Sequence, residues 1–132
     1  MKKFLLPLSE YNRIYQVAHG VLRDVTDVSR ACQFFASFGT YVLKKYYHIS
    51  ARPVAGSFAL CLDVGPDGPN IVCFGSNSGS RITSDANGFH MWVQTPSHII
   101  DFMAPVYREA FAQCSGAGTI PRKMMQKRIE DE

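Results

Sequence analysis

Cys32, His90 and Asp101 supply the three residue types that together make a nucleophile: a thiol, an imidazole and a carboxylate. Cys32 opens a long apolar helical pattern. His90 lies in Gly88-Phe89-His90-Met91-Trp92-Val93, and Asp101 in Ile99-Ile100-Asp101-Phe102. A thiolate attacks carbonyl carbon, histidine takes and returns protons near neutral pH, and a carboxylate fixes the tautomer and stabilises imidazolium. The spacing suits this chemistry only if a helix start and two neighbouring strands bring the three together.

If Ser29 or Asp27 caps the second helix, Cys32 falls in its first turn. There the backbone N–H groups without intrahelical acceptors, together with the helix dipole, favour thiolate and can face a developing oxyanion. The plain alternative is a small core residue on an apolar helix face. For His90 it is a hydrogen-bonded structural histidine. The second strand changes that balance, because a carboxylate between Ile100 and Phe102 needs a partner. A four-residue loop over Gln94–Ser97 would set His90 directly opposite Asp101 on one face of a hairpin. A three-residue loop would put them on opposite faces. Trp92 shares the face of His90 and is placed to shield the pair from water or to contact substrate.

Other segments must hold these residues in place. Tyr11, Ile14, Tyr15, Val17, Ala18, Val21 and Leu22 recur at helical spacing from Ser9, the expected N-cap, to about Asp24. A second helix is predicted from Ser29 or Arg30 to Tyr47, buried through Phe34, Phe35, Phe38, Val42 and Leu43. From Ala51 to Val64 the chain reads as one extended strand, and Gly65–Asn70 as a turn. Ile71–Phe74 is its returning partner and Ser76–Gly88 a polar loop. Two strands follow, Gly88–Val93 and His98–Met103, then a helix over Ala104–Cys114. Residues 121–132 read as a charged peripheral helix or tail. The order predicts an α+β domain, N-terminal helices packed on an antiparallel sheet.

A chain of 132 residues, 46% apolar and 19% charged, holds one core and one domain, 1–132. A net charge of +3 spread among acids gives no footprint for nucleic acid, and no apolar run is long enough to span a membrane. The opening Met-Lys-Lys-Phe-Leu-Leu-Pro-Leu is too short for a signal sequence, so a cytoplasmic location is expected. Among the four cysteines, Cys61, Cys73 and Cys114 are expected to be inert buried thiols. No zinc-type spacing occurs, and neither a metal nor another cofactor is expected. His98 should point away from Asp101, and His19 and His48 read as solvated or capping residues.

The order of Cys32 at a helix start, Arg52-Pro53-Val54-Ala55-Gly56, His90-Met91-Trp92-Val93 and Ile100-Asp101 resembles the transglutaminase-like branch of the papain-like cysteine peptidase superfamily. Over about Ser29 to Pro105 the chain is similar to a small bacterial family of unknown function assigned to that superfamily. The resemblance implies a papain-like fold, with Cys32 as nucleophile, His90 as base and Asp101 as its orienting carboxylate. Met91 departs from the alanine usual in that branch, and no upstream glutamine clearly matches the papain-like oxyanion donor. Thr26, Asp27 or Ser29 is the substitute considered. Arg52 is a candidate for substrate contact, or else a surface ion-pair residue. The expected function is a cysteine hydrolase or acyltransferase acting on a peptide, amide or ester. The alternative is an inactive binding module of the same fold. Met124, Met125 and Ile129 make the C-terminal segment a candidate surface for self-association.

Overall fold

The computed structural model of the protein describes residues 3–23, 31–66, 68–74, 76–77, 82–83, 89–111, 118, 120 and 122–131. The first apolar periodicity becomes helix α1, Leu8–Leu22, which buries Tyr11, Ile14, Ala18 and Leu22. Pro7 rather than Ser9 precedes it, and no side chain caps it. Proline suits that place because the first turn of a helix has N–H groups to spare. Helix α2 is Cys32–Tyr46, with Phe35, Ala36, Gly39 and Leu43 buried. It starts later than the capping residues suggested, directly after Ala31 and with no side-chain cap. Ser29, Asp27 and Thr26 lie outside the described residues. At its far end His48 adopts a left-handed φ of 54° and turns the chain towards the sheet. The Ile49 N–H then bonds the Leu43 carbonyl at 3.0 Å.

The main sheet has four antiparallel strands in the order β1 (Arg52–Gly56), β6 (His90–Gln94), β7 (His98–Asp101) and β8 (Met125–Arg128). Between β1 and β6 lie two smaller ladders, β2 (Phe58–Gly65) with β3 (Gly68–Phe74) and β4 (Ser76–Asn77) with β5 (Ile82–Thr83). The extended run from Ala51 to Val64 is thus two strands, not one. The chain leaves the main sheet at Ser57, just after Gly56. The Trp92 ring lies so close to Gly56 that a Cβ there would meet it at 2.7 Å. A glycine is needed at that bend.

Alternation divides the central strands between two duties. Val93, Ile100 and Phe102 face the helices. Gly39 of α2 comes so near that a Cβ would lie 2.4 Å from the Phe102 ring and 3.1 Å from Val93. Tyr11 of α1 stacks on Phe102 with centroids 5.0 Å apart. His90, Trp92, Ile99 and Asp101 occupy the opposite side. This is an α+β fold.

Two C-terminal expectations are corrected. Over the described part of the helix expected at Ala104–Cys114, a 3-10 turn at Ala104–Val106 leads into a short helix, α3, at Tyr107–Ala110. Cys114 falls outside the described residues. The segment expected to be a peripheral helix or tail instead supplies β8, which pairs with the outer edge of β7 and removes an exposed edge there. Its inward residue is polar: Gln126, 5% exposed, receives the N–H groups of Leu5 and Leu6 at 3.0 and 3.1 Å and donates to the Leu6 carbonyl at 2.6 Å. A buried polar residue breaks the hydrophobic pattern that would have identified the strand. Gln126→Leu leaves those backbone groups without partners and is expected to cost about 2–3 kcal/mol in urea denaturation, although it adds apolar bulk.

Candidate active site

The hairpin that carries His90 and Asp101 closes more tightly than its sequence suggested. Val93 pairs with Ile100 and Gln94 with Ile99. The Thr95 N–H bonds the His98 carbonyl at 2.9 Å, so the loop is Pro96-Ser97. The Thr95 hydroxyl accepts the N–H of His98 at 2.9 Å and that of Ser97 at 3.3 Å. Two residues instead of four keeps the same parity, so His90 and Asp101 still share a face, now as diagonal neighbours. Extended by one pair, this register sets Trp92 opposite Asp101.

From that diagonal the His90 Nε2 and Asp101 Oδ2 meet at 2.5 Å, with His90 fully buried and Asp101 2% exposed. Asp101 is held on every side. Its Oδ1 accepts the Met103 N–H at 2.9 Å, its Oδ2 also accepts the Tyr107 hydroxyl, and its backbone carbonyl accepts the Tyr11 hydroxyl. Cys32, a free and half-buried thiol at the first position of α2, engages the same imidazole by hydrogen bonding and by charge. Helix geometry leaves the N–H groups of the first turn of α2 without intrahelical acceptors, beside that sulfur.

Burial alone would lower the His90 pKa. Asp101, by hydrogen bond and charge, and then Cys32 reverse that and raise it from 6.5 to about 9. Burial first and the Asp101 charge second push the phenols of Tyr11 and Tyr107 well above 10, so both stay protonated donors. Aromatic rings enclose the imidazole: Phe58, Tyr107 and Trp92 have centroids 5.5, 5.8 and 6.3 Å away. Beside them a cleft of about 80 Å³ is lined by Ser57, Phe58, Trp92, Ile99, Asp101, Met125 and Lys127.

The structure therefore brings Cys32, His90, Asp101 and Trp92 together. It does not bring Arg52 to them. Arg52 is exposed and pairs with Gln94, whereas Gly56 at the other end of β1 pairs with His90. Four residues of strand separate those pairs by about 13 Å. Ser29 is outside the described residues. His98 points to the helix side, where its Nδ1 meets the Ser97 hydroxyl at 2.7 Å and its Nε2 donates to the Lys3 carbonyl at 3.1 Å. Sequence reasoning passed over Tyr107, Phe58, Met125 and Lys127. A tyrosine inside an apolar run carries no mark of its hydroxyl's partner, and the last two belong to the unforeseen β8.

A profile of the family described as "Protein of unknown function (DUF2026)" matches residues 7–132. The chain belongs to that family. It is also similar to a solved structure described as "The crystal structure of genomics APC5867", with 29% identity and a TM-score of 0.72 over 98% of this chain and 59% of that one. This chain thus spans under two thirds of the length of that relative. No curated protein matches it. Like the family description, the relative's description states no activity. Among the described residues no group of three or more His, Cys, Asp or Glu is arranged to hold a metal ion, and no helix is long and apolar enough to cross a membrane.

The raised His90 pKa has a measurable linkage. A group whose folded pKa exceeds its unfolded value stabilises the fold fully below the unfolded pKa, here 6.5, and that contribution disappears as pH rises through the folded value of about 9. Stability should therefore decline between about pH 6.5 and 9. Asp101→Asn, which keeps the shape and removes the charge, should bring the His90 ring titration down by at least about one unit in NMR and flatten that decline.

Proposed function

We propose that this chain is a cysteine-dependent hydrolase or acyltransferase on a papain-like scaffold of the transglutaminase-like kind, acting on an amide, peptide or ester. One observation carries the reading: a single buried imidazole engages a carboxylate and, at a helix start, a thiol. Such a ring can hold a proton taken from sulfur and pass it on, while the carboxylate keeps the ring oriented.

In the first half-reaction the Cys32 sulfur, its proton held by His90, attacks the substrate carbonyl carbon. Negative charge moves to the carbonyl oxygen, where the N–H groups of the first turn of α2 are suited to stabilise it. Collapse expels the amine or alcohol, which takes the proton from imidazolium, and a thioester on Cys32 remains. In the second half-reaction a water or an acceptor amine attacks the thioester carbonyl, giving its proton to His90. The freed thiolate recovers that proton as acid or transferred acyl product departs. Trp92 and Phe58 border the cleft in which part of the substrate would lie.

A second reading, a scaffold that keeps His90 and Asp101 as structure only, draws on how completely the pair is buried and on the small cleft beside it. Iodoacetamide labelling followed by peptide mapping separates the two. The enzyme reading expects Cys32 to be alkylated at least about tenfold faster than Cys61, Cys73 or Cys114. It also expects turnover of p-nitrophenyl acetate that falls at least about 100-fold in Cys32→Ala and in His90→Ala. Slow, equal labelling with no Cys32-dependent turnover would leave the scaffold reading standing.

A further inference from the structure

Asp101 receives more donors than a triad requires. Its Oδ2 is shared by the His90 ring and the Tyr107 hydroxyl, while Met103 N–H occupies Oδ1. Tyr107 begins α3, is 4% exposed, and stands edge-on to the imidazole at an interplanar angle of 70°. Its ring also packs on Phe58, with centroids 5.3 Å apart. Two walls of the site thus fix the ring, and the ring fixes the hydroxyl. Tyr11 is the instructive contrast: an equally buried phenol that bonds the backbone carbonyl of Asp101 and not its carboxylate.

We infer that Tyr107 is a positioning residue for the proposed reaction: by donating to the same Asp101 oxygen that holds the His90 ring, its hydroxyl locks the carboxylate and weakens its grip on imidazolium, easing proton delivery to the leaving group. This rests on the hydrolase reading above. A carboxylate oxygen that serves two donors offers each less charge than it would offer one. His90 needs such moderation. A pKa of about 9 makes imidazolium a reluctant acid near neutrality. Among the described residues the titratable groups facing this ring and its carboxylate are Asp101 from β7, Cys32 from α2, Tyr107 from α3, behind Asp101 Tyr11 from α1, and across the cleft Lys127 from β8. Of the two phenols, only that of Tyr107 bonds the carboxylate itself.

Tyr107→Phe keeps the ring and deletes the donor, and Tyr11→Phe serves as control. Ring NMR should show the His90 titration rising by about half a unit or more in Tyr107→Phe and staying in place in Tyr11→Phe. In the same variant, kcat/KM for an anilide should fall at least about tenfold further than for the p-nitrophenyl ester, whose leaving group departs without a proton. Should Tyr107→Phe fold poorly, 3-fluorotyrosine placed at position 107, a stronger donor, is expected to shift the titration the opposite way. A titration that falls or stays unchanged in Tyr107→Phe, or an equal loss on both substrates, overturns the inference. Wild-type protein without Cys32-dependent ester turnover refutes the hydrolase reading instead, and takes the reaction role of Tyr107 with it. The two failures are distinguishable because the titration is read without substrate.

Discussion

A carboxylate removed from water must have its charge met by donors, and that requirement at Asp101 organises the molecule. Three separate segments answer it, β6 with His90, the turn after β7 with the Met103 N–H and α3 with Tyr107, while a phenol from α1 holds the adjoining backbone carbonyl. None is near another in sequence except the turn and α3, so the carboxylate acts as a tertiary fastener as well as a charge. Taking one partner away from such a cluster typically costs about 3–5 kcal/mol, because the charge stays buried while its compensation goes.

The two faces of the central hairpin let one short sequence serve both ends. Val93, Ile100 and Phe102 face the helices, and Gly39 lets α2 lie close enough to keep that layer thin. Residues one step away in the same strands carry the polar machinery. The N-terminus of α2 reaches the site at the start of β6, where His90 is the first strand residue. Gly56 does on the site face what Gly39 does on the core face, leaving room for the Trp92 ring.

This logic explains which features were readable from the residues. The helices showed through their apolar spacing, and Cys32 at a helix start and the shared face of His90 and Asp101 were both accessible. The hairpin loop was misjudged by two residues, yet an even error leaves side-chain parity untouched, so the pairing survived it. Features that depend on partners distant in sequence were hidden. β8 is recognisable only once Leu5 and Leu6 are known to need Gln126. The hydroxyl of Tyr107 has meaning only beside Asp101. The lack of room for a side chain at Gly56 depends on a tryptophan ring far along the chain, and the remoteness of Arg52 depends on register alone.

The clasp between Leu6 and Gln126 joins positions 120 residues apart. Contacts of such separation close a long loop, an entropic cost that local pairing does not share. β7 therefore gains its outer neighbour only when β8 pairs with it, and the cleft wall formed by Met125 and Lys127 is completed at the same step. The hairpin that joins His90 to Asp101, by contrast, is a local pairing and does not wait for this closure.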